Sequence, residues 1–375
     1  MAAMATIALP LRGNALSGSA LAVGLALGVV GLFLSWFGAA WDVSWHRALG
    51  RETFWSPPHL FLYGGVTCWG LASLVATVTA MAGRPARSAE LRVGPLHAEL
   101  GLALVGLGAL AVIGSAPFDE LWHRTFGRDV DIWSPPHLTA VVGTALAFVG
   151  WATAFAPGVF PIGERLRRSL RVLMLGNLIG VFVFGMNFYY FMTVTREALV
   201  YPLLVTATAP IALALGVVFV RGRWAATAVA GVYTVFAVVT YAVLDEAGWR
   251  PPAFPPLVLG GALALDLFRA RGGRWAHPVA LGAAFSLAFV AAETLRVGFI
   301  APPAAPIVSG PGVDPRLSSL FFQYYAQTVA RPWLSLWPAA AAVLGIPLAA
   351  TSWRFGRAVG AVLADDGHAE AFAHT

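Results

Sequence analysis

Lysine is absent from this 375-residue chain: all 24 basic residues are arginine, which we read as a mark of GC-rich codon usage. Cysteine is almost absent too, and the single Cys68 excludes an intrachain disulfide. Charge of either sign is scarce. It makes up 11% of residues, where a soluble domain carries about 25%. Hydrophobic residues make up 58% and the mean hydropathy is +0.74. These values exclude an ordinary soluble domain and point to a polytopic membrane protein. The net charge of +6 does not point to nucleic acid, because the arginines lie in short loops and form no basic face. No haem, flavin or iron–sulfur motif occurs. The apolar run after Arg12 is longer than the roughly 7–15-residue core of a cleaved signal peptide, so it reads as a retained first span.

About 20 apolar residues cross a hydrocarbon core. By that measure the chain holds ten candidate spans, at about 15–41, 58–82, 94–117, 135–156, 172–194, 199–220, 224–244, 255–270, 277–299 and 333–352. The eighth is short and carries Asp266. Runs this long mean helices, because only helices or closed barrels satisfy the backbone in lipid. The expected fold class is therefore all-α, a polytopic membrane helical bundle of about ten transmembrane helices.

Arginines set the expected orientation. One set of span ends holds 15 of them and the opposite set holds 8. The richer set should be cytoplasmic, which places both termini inside a bacterial or archaeal cytoplasmic membrane. Two regions are expected: a metal-motif domain over 1–157 and a further helical region over 158–375, whose role no motif indicates.

What the first region does hold is one pattern written twice. Asp42, Ser44-Trp45-His46-Arg47, Gly50-Arg51 and Trp55-Ser56-Pro57-Pro58-His59-Leu60 form the first copy. Asp119, Leu121-Trp122-His123-Arg124, Gly127-Arg128 and Trp133-Ser134-Pro135-Pro136-His137-Leu138 form the second. Asp42 and His46, like Asp119 and His123, are four apart and share one helix face. Ser56 and Ser134 suit N-caps, and the prolines after them suit a first helical turn. His59 and His137 then fall in the first turn of the following span. Each hairpin should bring one carboxylate and two imidazoles to one depth, on the extracytoplasmic side.

That donor set suits Fe(II), Cu(II), Zn(II) or Mn(II) and leaves coordination positions open, which favours catalysis over a structural role. The candidate ligands are Asp42, His46, His59, Asp119, His123 and His137. Glu52, Asp129 and Asp131 are outer-shell or alternative ligands. Arg47, Arg51, Arg124 and Arg128 are placed to orient carboxylates or face lipid headgroups. The histidines of the two copies are 13 and 14 residues apart, so the two sites need not share one geometry.

Asp42, Ser44-Trp45-His46, Arg51-Glu52-Thr53 and Ser56-Pro57-Pro58-His59 resemble, in register, a segment of the C subunit of the copper membrane monooxygenases, the particulate methane and ammonia monooxygenase family. Asp119, His123 and Pro135-Pro136-His137 are similar to that subunit's second set, with aspartate in place of its asparagine. The resemblance covers about residues 40–140. It implies copper at both positions, where the donor set alone also admits iron or zinc, and O2 activation for oxidation of a small hydrophobic substrate or ammonia. It also implies monooxygenase-type partner subunits; membrane lipid and a homo-oligomer are the other expected partners. Electrons would come from another carrier, such as a quinol. The competing expectation is a non-catalytic copper protein that accepts, stores or delivers the metal.

Ionisable groups inside spans are functional candidates by default. Glu293 and Arg296 are three apart and should pair. His97, Glu99 and Asp266 lie near inner span ends, where snorkelling explains them, Asp266 with Arg269. Asn177, Asn187, Tyr189 and Tyr190 share the fifth span, the last three level with the metal motifs. Residues 317–330 are expected to form an interfacial amphipathic helix.

Overall fold

The computed structural model describes residues 15–49, 53–83, 90–93, 96–126, 134–156, 160, 162–192, 198–249, 256–297 and 333–364. It is almost entirely helical. The helices are α1 (Ala15–Leu49), α2 (Pro57–Gly83), α3 (Leu100–Phe126), α4 (Pro135–Ala154), α5 (Glu164–Met192), α6 (Val200–Val220), α7 (Ala225–Glu246), α8 (Val258–Arg271), α9 (Pro278–Leu295) and α10 (Trp337–Ala364). A short antiparallel hairpin, β1 (Glu90–Val93) and β2 (Leu96–Glu99), joins α2 to α3. Among the described residues seven helices are long and apolar enough to cross a membrane: α1 to α4, α6, α7 and α9. At 14 residues, α8 is about 21 Å long at 1.5 Å per residue, short of a hydrocarbon core of about 30 Å.

The third span departs from the sequence expectation at both ends. Leu96–Glu99 is strand rather than helix, paired to β1 with Arg92 opposite His97. Glu99 then accepts from the Leu102 amide at 2.9 Å and satisfies an open donor at the start of α3. At its other end α3 runs through Pro117 to Phe126. Proline inside a membrane helix is tolerated where neighbouring groups satisfy the freed backbone, so Pro117 does not end the span.

The first four helices form two tight hairpins, and glycine makes them tight. A Cβ on Gly31 would stand 2.6 Å from the Gly65 carbonyl oxygen, and one on Gly65 would stand 2.7 Å from that of Gly31. In the second hairpin Gly143 opposes Gly108 at 2.9 Å, and Gly101 and Gly150 oppose each other at 2.7 Å. Small residues let backbones approach where no hydrophobic force between helices exists in lipid. Helices α2 and α3 run antiparallel, since Ser73 donates to the Leu102 carbonyl at 2.7 Å while Gly70 meets Ala109. Both hairpin tips therefore lie at one end of the bundle.

The opposite end is marked by Arg171 of α5. Its guanidinium donates to the Ala152 carbonyl at the end of α4 and to the Phe219 carbonyl at the end of α6. Trp36 of α1 donates to Thr240 of α7 at 2.9 Å and ties the first hairpin to the later helices. Among those, α10 packs on α6 and α9, where Ser352 donates to the Ala207 carbonyl and Ser286 to the Ala342 carbonyl.

Two buried carboxylates hold the later helices together. Glu293 is wholly buried and pairs with Arg296, as the spacing suggests. It also accepts from the Leu257 amide at 2.6 Å and from Tyr201 Oη at 3.5 Å, joining α9 to α6 and the start of α8. Asp266 departs from its expectation. It does not snorkel: it is fully buried, accepts from both the amide and hydroxyl of Thr227, and pairs with Arg269 at 2.7 Å. It thereby satisfies the N-terminus of α7, where open amide donors favour an anion. Asn177 is buried too, and its amide donates to Leu173 on its own helix rather than across helices. Residues 317–330 and the side chains of His97, Asn187, Tyr189 and Tyr190 lie outside the described residues.

Candidate metal centre

The second hairpin gathers its three expected ligands. Asp119 and His123 stand one turn apart near the end of α3, and His137 lies in the first turn of α4. Asp119 Oδ1 is 3.7 Å from His123 Nε2 and 3.5 Å from His137 Nε2. One donor atom from each residue lies within 4.8 Å of the others. Metal–nitrogen and metal–oxygen bonds of about 2.0–2.2 Å with open angles set donors roughly 3–4 Å apart. The Asp119 distances fall in that range, so the residues fit a transition-metal ion.

Ser134 explains how His137 is held. It occupies the N-cap position of α4, as expected, but its side chain makes no cap hydrogen bond. A capping hydroxyl accepts from the amide of the second or third helical residue. Here the second is Pro136, which has no N–H. The hydroxyl instead lies 3.0 Å from Nδ1 of His137, the third residue. With Nδ1–H donating to Ser134 Oγ, the Nε2 lone pair is left to face Asp119. The serine and the two prolines thus act as one device that orients an imidazole.

The first hairpin places Asp42 Oδ1 3.3 Å from His59 Nε2, with both side chains largely buried. His46 stands one turn beyond Asp42 on α1; its side chain lies outside the described residues. The same serine–proline start is present, yet among the described residues the buried Ser56 hydroxyl has no hydrogen-bond partner. The surroundings differ as well. Trp45 stacks on Trp249 at 5.0 Å, Trp41 meets both Trp249 and Phe61 edge-on, and the Tyr63 ring lies 5.7 Å from His59. Trp249 follows α7 and belongs to neither copy of the repeat. The second site instead has Phe118, Trp122 and Phe126 in one row, with Phe126 exposed. The copies are therefore two different environments, one walled by aromatic rings from α1, α2 and the segment after α7 and one open along α3.

Residue by residue, the structure brings together Asp119, His123 and His137 in one hairpin and Asp42 and His59 in the other. Arg124 pairs with Glu120 on its own exposed helix face and does not orient the site carboxylate. Arg51, Glu52, Arg128, Asp129 and Asp131, and the side chain of Arg47, fall outside the described residues. Sequence reasoning missed the glycines. Gly31 stands eleven residues before Asp42 and Gly108 eleven before Asp119. Gly65 stands six after His59 and Gly143 six after His137. The repeat thus includes the helix crossings that bring the ligands to one depth. Aligning the two copies beyond their polar residues reveals it.

Comparison with protein-family models, with curated proteins and with solved structures finds no match for this chain. Its chemistry therefore rests on its own donor set. Two imidazoles and a carboxylate could hold a divalent transition metal with positions left for a further ligand, and here they lie on helices apolar enough to sit in lipid.

Proposed function

We propose that this chain is a membrane copper protein of monooxygenase type, a subunit that activates O2 at Asp/His/His sites for oxidation of a small hydrophobic substrate or ammonia. The observation that carries this reading is the convergence of Asp119, His123 and His137 on one hairpin tip. The in-register resemblance of residues 40–140 to the C subunit of the copper membrane monooxygenases supports copper over iron or zinc. We read the bundle as about ten spans with both termini cytoplasmic, the short α8 crossing where the bilayer thins to meet it, which sets both clusters on the extracytoplasmic side. Monooxygenase-type subunits would be its partners.

Copper, when bound, supplies redox chemistry with O2. The chain's own residues do the rest. Asp119, His123 and His137, with Asp42, His46 and His59 in the first hairpin, supply the ligands. Ser134 keeps the His137 ring turned toward the site. The aromatic wall around His59 keeps water from the site and offers an apolar approach from the bilayer.

The test is metal analysis of the purified full chain, followed by O2-dependent oxidation of an alkane, an alkene or ammonia in membranes holding the neighbouring gene products. Copper near two per chain is expected, with His123→Ala plus His137→Ala removing about one equivalent. Protein that holds no copper after growth in copper ends the proposal. Copper-loaded protein without O2-dependent oxidation means an acceptor or storage protein instead.

A further inference from the structure

The end of the bundle opposite the Asp/His/His tips holds a second concentration of unusual chemistry. A cavity of about 730 Å³ lies between the ends of α6, α8 and α10, and Arg221, Arg223, Arg269 and Arg357 line it. Val217, Val218 and Ala361 supply an apolar wall. Arg269 pairs with Asp266, whose other oxygen is taken by Thr227. Among the described residues none of the other three arginines has a carboxylate partner. Four guanidinium groups thus line one pocket, and among the described residues the one carboxylate paired with them, Asp266, is already engaged. Like charges so arranged repel, and an anion between them relieves the repulsion.

The backbone at this pocket is unusual as well. Arg221 ends α6 in the left-handed conformation at φ 49°, although Gly222 follows it. Glycine takes that position without steric cost and arginine does not. Among the described residues Arg221 is the only non-glycine with positive φ. Such outliers persist where surrounding structure or function requires them. The carbonyls ahead of the cavity, Phe219 and Arg221, already accept from Arg171 and Arg168. The cavity arginines are not needed to cap α6.

The depth of the pocket points to its ligand. Arg223 lies over the exposed Trp224 ring at 5.0 Å, and Arg274 over the exposed Trp275 ring at 5.1 Å. Tryptophan and arginine together mark the headgroup level of a bilayer. Arginine forks match phosphate oxygens in pairs, and the valines beside them suit the start of an acyl chain. We propose that Arg221, Arg223, Arg269 and Arg357 form a binding site for the phosphate group of an anionic phospholipid.

The test uses the purified full chain in neutral detergent, titrated with dioleoylphosphatidylglycerol, with dioleoylphosphatidylcholine and with inorganic phosphate, and followed by native mass spectrometry and thermal unfolding. Saturable binding of the anionic lipid, unaffected by inorganic phosphate, is expected. Each arginine removed should weaken it about fivefold, so Arg223→Gln with Arg357→Gln should weaken it about twenty-five-fold. Displacement by inorganic phosphate would keep the phosphate site and assign free phosphate as its occupant. Equal binding of both lipids, or unchanged affinity in the double variant, overturns the proposal. Should the double variant not fold, Arg223→Gln alone changes one exposed side chain and must still lower the affinity, while Arg223→Lys retains most of it.

Discussion

Ser134→Ala and Ser56→Ala should behave differently, although the two serines occupy the same place in the repeat. Ser134 Oγ lies 3.0 Å from His137 Nδ1 and is the group that orients the ring. Removing the partner of a ligating imidazole lowers metal affinity about 10–100-fold, or roughly 1.4–2.8 kcal/mol. Ser56 is buried and, among the described residues, its hydroxyl has no hydrogen-bond partner. Deleting it removes an unsatisfied polar group, so Ser56→Ala should be neutral or slightly stabilising. The assay is competition of each variant against a chelator of known copper affinity, with metal counted per chain. Ser134→Ala should release the second equivalent at about 10–100-fold lower chelator excess, while Ser56→Ala keeps the wild-type profile. Equal profiles for the two variants, or a Ser134→Ala chain indistinguishable from wild type, would refute the reasoning.

Two further predictions concern the scaffold. Gly143→Leu should push α3 and α4 apart, because even a Cβ there would stand 2.9 Å from the Gly108 carbonyl. Overpacking of this kind costs about 1–3 kcal/mol, and the second metal equivalent should be lost with it. Gly114→Ala, on α3 and with open space around it, should leave metal content unchanged and raise the unfolding midpoint slightly. Glu293→Gln breaks the buried pair with Arg296. Removing one partner of a buried pair costs about 3–5 kcal/mol, so the midpoint in detergent should fall sharply while copper stoichiometry per folded chain stays the same. A midpoint equal to wild type would show that the pair contributes nothing.

Much of the helical plan was legible because lipid leaves so few choices. A chain with little charge and long apolar runs forms helices, since an unpaired backbone group in hydrocarbon is too costly. The ends of those helices were less legible. The apolar run of the third span closes at 117, yet α3 continues through Pro117 and carries Asp119 and His123 on helix, as their spacing suggests. Glu99 and Asp266 read as snorkelling charges because sequence shows only depth. In the structure both accept from backbone amides at helix starts, which are distant or irregular in sequence.

The sequence by itself determined the donor set: an aspartate and two histidines, twice, with helical spacing and a proline start. Those features are local, and a turn of helix or a cap needs no distant partner. Only the tertiary structure decided how the two copies differ. Behind the same two prolines the Ser134 hydroxyl meets His137 while, among the described residues, that of Ser56 meets no partner, and Trp249 arrives from beyond the end of α7 to wall the first site. It also decided that glycine crossings, rather than the polar residues, set the depth at which the ligands meet. Backbone approach between helices is a property of pairs, and no single helix carries it.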